Sequence, residues 1–427
     1  MYEEWGFSGS PFQTTSLPAS ELGEKLLVGR EEDLARLMRR VKSAPKMATV
    51  EGLNGVGKTS IVNVAAYKLY VGHVGSGYGS LFIPCRKSFQ LNPDHDVADF
   101  AHIVFLEVAQ TLIDYAARLR SNGTFVKTGP IEKWLNSPQL TTFGGGIPIL
   151  SASMSSETNT SSGFERSGFR KLVTEWLAEV FSETENSGVI CTIDNLELLQ
   201  KSDTARALLE QLRDELFTIR GLRWVLCGSL GIIHGIVGSP RLEGYLHDPL
   251  QIGEIAEAAA PEILRSRIKT YAVEERRAYL PLTPEGFDKL YQSLKGNLRS
   301  VLSYADNYCQ WAADRSLPAT DEEKNELFDI WLNGQCEAAY DAIRSEVRPR
   351  AMKVFTDAEH IAGIFSPSDY EFFDFNSIAA FRPSIQSLEG VGVVVSTQDE
   401  GDKRRKTIQI TPKGWMVLRH LRRQQEA

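Results

Sequence analysis

The run Gly52-Leu53-Asn54-Gly55-Val56-Gly57-Lys58-Thr59 carries the chemistry most readily legible in this chain. It satisfies G-x-x-x-x-G-K-[ST] at every fixed position. Glycines let the backbone turn tightly, so that successive amide N–H groups converge on one point and hold an anion such as a β-phosphate. In that reading Gly52, Asn54, Gly55, Val56 and Gly57 form the cradle. Lys58 brings a point charge to the β- and γ-phosphates, and the Thr59 hydroxyl ligates magnesium. Ser60 follows in the first turn of a helix whose positive end faces the same anion. The expected cofactors are therefore ATP and Mg2+.

A magnesium ion held this way needs a carboxylate at the end of a neighbouring strand. Asp194 closes the apolar run Val189–Ile193 and is the candidate, binding the metal through water. Asn195 follows it directly. Asparagine cannot take a proton at neutral pH and can only orient water by hydrogen bonds, which predicts slow hydrolysis. Glu197 is the alternative base, or else a cap of the turn Leu196–Leu199. Ser229, at the end of the strand candidate Leu222–Cys227, is placed near a γ-phosphate or its attacking water; its plain alternative is a turn serine. Arg299, in Gly296-Asn297-Leu298-Arg299, is either a γ-phosphate contact from a helical lid or a surface arginine.

These residues need a scaffold, and hydrophobic patterning supplies one. Met47–Val50 is a strand candidate running into the glycine loop, with a helix from Lys58 to about Tyr70 behind it. Further strands are expected at Leu81–Cys85, Val189–Ile193 and Leu222–Cys227. Helices are expected at Ala98–Leu119, Phe169–Phe181 and Ser202–Ile219. Strands alternating with helices argue for an α/β layer with a parallel sheet. Residues 1–25 read as a polar lead-in and 26–252 as the α/β core. Within the core, Thr141–Gly163 reads as a Gly-, Ser- and Thr-rich exposed hairpin or flexible insertion. Residues 253–315 read as a helical lid broken at Pro261 and Pro281, 316–347 as a linker helix, and 348–427 as a terminal domain.

Composition sets limits on function. At 427 residues, with 42% hydrophobic and 24% charged side chains, the chain is long enough for two or three ordinary globular domains. A net charge of −8 excludes a basic nucleic-acid coat and confines any such contact to a local patch. Five scattered cysteines without a CxxC pair point to reduced thiols and a cytoplasmic setting. The amino terminus lacks the pattern of a signal peptide, and no apolar run reaches membrane-spanning length.

Together the motifs resemble those of an AAA+ ATPase, nearest the origin-recognition and initiator clade and the related archaeal-type and STAND-like ATPases. Val28, Gly29 and Arg30 resemble the entry motif beside the adenine, and Gly52–Ser60 and Ile190–Glu197 the Walker A and B motifs. Ser229 resembles sensor 1 and Gly296–Arg299 sensor 2. Ser239-Pro240-Arg241-Leu242 resembles the arginine-finger segment, in which Arg241 would face a neighbour's γ-phosphate in a homo-oligomer. The resemblance covers about residues 20–315. Asn195 departs from it, since many such ATPases carry Glu there.

Residues from about 350 to 423 resemble a bacterial winged helix-turn-helix. Arg382, Ser384 and Gln386 would read bases, and Lys403, Arg404, Arg405 and Lys406 of the wing would contact phosphates. From Arg344 onward, however, 13 Lys and Arg face 11 Asp and Glu. Winged helices also serve as protein contacts. The expectation is an ATP-dependent switch for double-stranded DNA. Its rivals are a signalling or anti-phage defence scaffold that docks a protein effector, and a fast loader.

Overall fold

The computed structural model describes residues 1–77, 79–94, 96–121, 123, 166–182, 186–199, 202–229, 233, 236, 239–398 and 406–426. The expected insertion at 141–163 lies outside the described residues. The central sheet is parallel throughout. Its strands are β1 (Ala48–Gly52), β2 (Phe82–Pro84), β3 (Phe89–Gln90), β4 (Gly188–Asp194), β5 (Leu222–Gly228) and β6 (Leu250–Ile252). Their order is β2-β4-β5-β1-β6, with β3 also paired to β4.

Alternation along the strands builds two cores, because successive side chains point to opposite faces. Val189, Cys191 and Ile193 of β4 and Leu222, Trp224 and Leu226 of β5 pack under α4 (Val97–Ser121), α5 (Arg166–Val180) and α6 (Ser202–Leu212). Ile190, Val225 and Cys227 face the other way, with Ala48 and Val50 of β1. They meet α2 (Glu31–Val41) and α3 (Lys58–Ser76). A short helix, α1 (Glu21–Leu26), precedes α2. This is the α/β core that the motifs implied. The expected first strand was placed at Met47–Val50; it runs on to Gly52 because Glu51 and Gly52 pair with β6. With three residues between Pro249 and Gly253, β6 is too short to show a pattern of its own.

The lid is made of α7 (Ala260–Tyr271), α8 (Pro284–Ser293) and α9 (Leu298–Ala313); α10 (Asp321–Asp341), expected as a linker helix, packs into the same core through Phe328, Trp331 and Leu332. Pro261 does not break it. It occupies the first turn of α7, where its missing N–H has no helical partner to lose. Side chains fix the helix starts. Thr283 Oγ1 accepts from Gly286 N at 3.0 Å, Asn297 Oδ1 accepts from Ser300 N at 3.2 Å, and Thr320 and Glu323 cap α10 reciprocally.

The amino-terminal segment is not a solvated lead-in. Trp5, Phe7 and Phe12 are buried in the lid core beside Phe287, Tyr291 and Tyr308. Backbone bonds hold it there: Ser8 N to Tyr271 O at 2.7 Å, Val273 N to Gly6 O at 2.9 Å and Tyr279 N to Trp5 O at 2.9 Å. The polar residues between these aromatics hide the burial from any periodicity.

The terminal unit follows: α11 (Pro349–Asp357), β7 (Ile364–Phe365), a 3-10 turn at Pro367–Glu371, α12 (Ile378–Gly390), β8 (Val394–Gln398), β9 (Lys406–Ile410) and α13 (Pro412–Glu426). Its antiparallel sheet has the order β7-β9-β8 over a core that includes Phe355, Phe381 and Ile408. The last helix serves two cores. Trp415, Val417 and Leu418 belong to the terminal unit, while Met416 lies in the lid, 3.5 Å from Cys336 Sγ. Arg419 donates to Ser293 Oγ at 3.0 Å, and His420 stacks on Tyr340 with centroids 4.9 Å apart.

All five cysteines are free. Among the described residues no helix is long and apolar enough to cross a membrane.

If the amino-terminal aromatics close the lid core, Phe7→Ala costs about 3–5 kcal/mol, the range for deleting a buried phenyl ring. Urea unfolding monitored by circular dichroism measures it, and an unchanged midpoint would mean that the lid stands without this segment.

Candidate nucleotide-binding site

The glycine turn sits where β1 meets α3. A Cβ on Gly52 would come 2.5 Å from the carbonyl oxygen of Ile252, so β6 admits no side chain there. Gly55 and Gly57 have φ of +88° and +97°, the left-handed conformation that side chains disfavour. A Cβ on Gly57 would meet nothing within 4 Å, so the turn opens onto the cleft. Lys58 Nζ donates to the carbonyls of Gly52 and Leu53 at 2.9 and 3.2 Å, folded over its own loop.

Asp194 ends β4, and β5 separates β4 from β1. The two outer strands are thus about 10 Å apart, two strand spacings. Thr59 closes that gap: its Oγ1 donates to Asp194 Oδ2 at 2.6 Å. Asp194 Oδ1 accepts from Asn195 N at 3.0 Å. Magnesium prefers one or two carboxylate contacts completed by phosphate oxygens and water, and a hydroxyl beside one carboxylate suits that preference. Among the described residues no cluster of three or more His, Cys, Asp or Glu could hold a metal by protein groups alone.

Asn195 lines the cleft with φ of +55°, a conformation asparagine tolerates far better than glutamate. The backbone therefore supplies a local reason for Asn here. Glu197 Oε2 accepts from Ser229 N at 3.1 Å, which ties the two strand ends together. Ser229 Oγ is buried with no partner among the described residues.

Arg30 is buried and binds protein. Its Nη2 donates to Val56 O at 2.9 Å and Gly253 O at 2.7 Å, and its Nη1 pairs with Asp33 at 3.1 Å. It thereby ties the glycine loop to the end of β6. Val28 lines the cleft, and Gly29, with φ of +73°, lies where a Cβ would strike Ile255. Asn54, Gly55, Val56 and Gly57 also line it. The Ser60 hydroxyl accepts from Leu17 N at 3.0 Å. Arg299 is exposed at the cleft, its Cβ 3.4 Å from the position a Cβ on Gly55 would take, and no ion pair engages it among the described residues. Arg241 stands apart, paired with Asp214 at 3.0 Å and half exposed.

The candidate DNA contacts lie in the terminal unit. Arg382 and Gln386 are exposed on α12. Lys406 Nζ pairs with Glu389 at 2.8 Å, an engagement its place in a basic run did not suggest. Lys403, Arg404 and Arg405 lie outside the described residues.

The amino-acid pattern missed the lip of the cleft. Residues 13–17 form it, held to α3 by Ser60 and by Asn63, whose Nδ2 donates to Leu17 O at 2.8 Å. It also missed Arg267. This side chain is buried between the cleft and that lip; Nη1 donates to Pro11 O at 2.8 Å, and no carboxylate pairs with it among the described residues. Burial pulls its pKa down to about 10. One clue was available: Arg267 interrupts the apolar face formed by Ile263, Leu264 and Tyr271 of α7.

No protein-family model and no curated sequence matches the chain. Solved structures align with it over nearly its full length. The Aeropyrum pernix ORC1 protein, solved in complex with DNA, aligns with a TM-score of 0.43 at 14% identity, covering 95% of this chain and 96% of that one. The Walker-type ATPase of Pyrococcus abyssi gives 0.45 at 14%, covering 96% and 99%. The Aeropyrum pernix ORC2 protein, solved in ADPNP-ADP complexes, gives 0.45 at 10%, covering 98% of each chain. What the chain shares with them is a fold: a parallel sheet with a glycine-rich turn between β1 and α3, followed by a helical unit.

Lys58→Ala is expected to lower affinity for a fluorescent ATP analogue by about 100-fold or more, the scale of losing charge-assisted bonds to phosphate. A titration indistinguishable from that of the unmodified chain would end the assignment of this turn as the phosphate site.

Proposed function

We propose that the chain is an ATP- and magnesium-dependent AAA+ switch with slow hydrolysis. Its nucleotide state and self-association govern how a C-terminal winged helix-turn-helix engages duplex DNA. One observation carries the reading. The turn 295–299 touches the phosphate loop on one side and the terminal unit on the other. Asn297 Oδ1 comes within 3.0 Å of the place a Cβ on Gly55 would occupy, while Lys295 Nζ lies 5.3 Å above the Trp415 ring. A γ-phosphate beside Gly55 and Arg299 would act on the same turn that holds α13, and such differential contact is what a ligand-driven switch needs.

In this scheme Thr59 and Asp194 would hold magnesium, and Lys58 and the loop amides the phosphates. The bound metal would neutralise charge developing on the phosphate oxygens. Asn195 would orient water without removing its proton. Glu197 would set the position of Ser229, whose hydroxyl has no partner among the described residues. Arg241 would serve a neighbouring subunit after exchanging its pairing with Asp214.

The order helix, strand, turn, helix, hairpin and helix in the terminal unit supports a winged helix-turn-helix, with α12 as the reading helix. Arg348 and Arg350 border the groove along α12 that Gln386 lines, adding charge to Arg382. A protein-docking reading also has support. Ile364, Phe372 and Ile378 of this unit are 44%, 49% and 38% exposed, and large apolar groups left in water favour a protein partner.

Two measurements test these roles. Asn195→Glu is expected to raise steady-state ATP turnover about 100-fold, at the low end of general-base effects. It should also cost about 1–3 kcal/mol of stability from the left-handed backbone. Unchanged or lower turnover in the folded variant rejects Asn195 as the brake. In a salt titration of duplex DNA binding with ATP present, replacing Arg404 and Arg405 by Ala should flatten the log–log slope by about 2. An absence of DNA binding by the unmodified chain would favour the protein scaffold.

A further inference from the structure

The phosphate loop lies at the C-terminal ends of the strands. The opposite rim of the sheet carries a separate concentration of positive charge. Arg36, Arg39 and Arg40 stand on one face of α2 and line an open cleft of about 690 Å³ together with Ser43, His247 and Gln251. Lys42 and Lys46 are exposed on the adjoining loop. The carboxylates nearby are Glu32, 3.3 Å from Arg36 across an exposed pair, and Asp248 beside Arg40. Arg40 Nη1 donates to the Asp248 carbonyl at 2.7 Å. No ion pair engages Arg39 among the described residues.

Charge also lies beneath this surface. Arg223 of β5 is 8% exposed, and its guanidinium donates to the carbonyls of Val41 at 2.8 and 3.2 Å and of Lys46 at 3.2 Å. Burial lowers its pKa, and no carboxylate pairs with it among the described residues. His247 Nε2 is buried without a hydrogen-bond partner among the described residues, and burial, with Arg40 and Lys46 nearby, lowers its pKa and favours the neutral ring. Favourable contact with the negative end of the α2 dipole accounts for cations in its last turn. It does not account for Arg36, Lys46 or Arg223, which lie before that turn or off the helix.

We propose that this cleft binds the sugar–phosphate backbone of a nucleic acid, at a site separate from the nucleotide cleft and from the terminal unit. Guanidinium forks match phosphate oxygens in pairs, which makes arginine the apt residue for this ligand. Arg36 and Arg40 are about 6 Å apart along the helix axis, close to two steps of about 3.4 Å in a nucleic-acid strand. A row of that kind suits a linear polyanion better than a lone phosphate. In a chain with net charge −8, such clustering makes a local binding patch. The inference holds whether the terminal unit touches DNA or protein.

The test uses the full chain and a fluorescently labelled DNA duplex, read by anisotropy between about 50 and 200 mM salt. Arg36→Glu, Arg39→Glu and Lys42→Glu are combined, first alone and then with Arg404→Ala and Arg405→Ala. All three cleft positions are exposed and distant from the glycine loop, so ATP affinity and the unfolding midpoint should stay unchanged. The expected result is at least a tenfold loss of duplex affinity and a log–log salt slope shallower by about 3, in both backgrounds. Cross-linking of the duplex to a photoreactive probe on Arg39→Cys should accompany it. Unchanged affinity and slope would overturn the proposal. So would displacement of the duplex by polyglutamate at equal charge, which would mark the rim as a surface for acidic peptides.

Discussion

A hydroxyl on one strand–helix junction donates to a carboxylate two strands away, and the active end of the sheet depends on that contact. Thr59 and Asp194 meet only because β5 lies between β4 and β1 in parallel register, which brings all three strand ends to one edge. Backbone hydrogen bonds set the strand spacing, and helices cover both apolar faces of the sheet. Arg30 adds a second tie, from Val56 to Gly253, so the glycine turn is held from α2 and β6 as well as by its own helix. The backbone of the glycine turn is thus fixed from three sides, while the Lys58 and Thr59 side chains are engaged with protein groups.

The side of the cleft facing the lid is built on different terms. Its walls are apolar side chains from α7 and α9, its lip is the amino-terminal segment, and a buried arginine without a carboxylate holds that lip by backbone carbonyls. Carbonyl acceptors satisfy part of the guanidinium's bonding capacity while leaving its charge uncompensated. Such a charge favours an electron-rich neighbour, and the cleft is the open space beside it. The phosphate end is thus organised by backbone turns, and the other end by packing.

Much of this was legible in the amino-acid sequence, for a physical reason. The phosphate loop, its flanking strand and helix, and Asp194 are local patterns in which residue type and spacing decide the structure. The long helices α4 and α9 and the strands β4 and β5 carry enough residues for periodicity to show. The failures share a cause. The burial of Trp5, Phe7 and Phe12, the three-residue strand β6 and the anchoring role of Arg267 depend on partners 200 or more residues away. Pro261 was misread because a proline in the first turn of a helix resembles one that ends a helix. Asn195 looked like the loss of a carboxylate, whereas its positive φ gives asparagine a conformational reason to be there.

The division of α13 between two cores has mechanical consequences. Met416 cannot leave the lid without exposing Cys336, and Trp415 cannot leave the terminal unit without uncovering Gly363, whose lack of a side chain makes room for the indole. Lid and terminal unit are therefore joined through one shared helix. Residues 13–17 and Ile255, which lie along the chain between the sheet and the helical unit, line the cleft beside the glycine turn. A shift of the cleft wall would therefore be passed through α13 to the far unit.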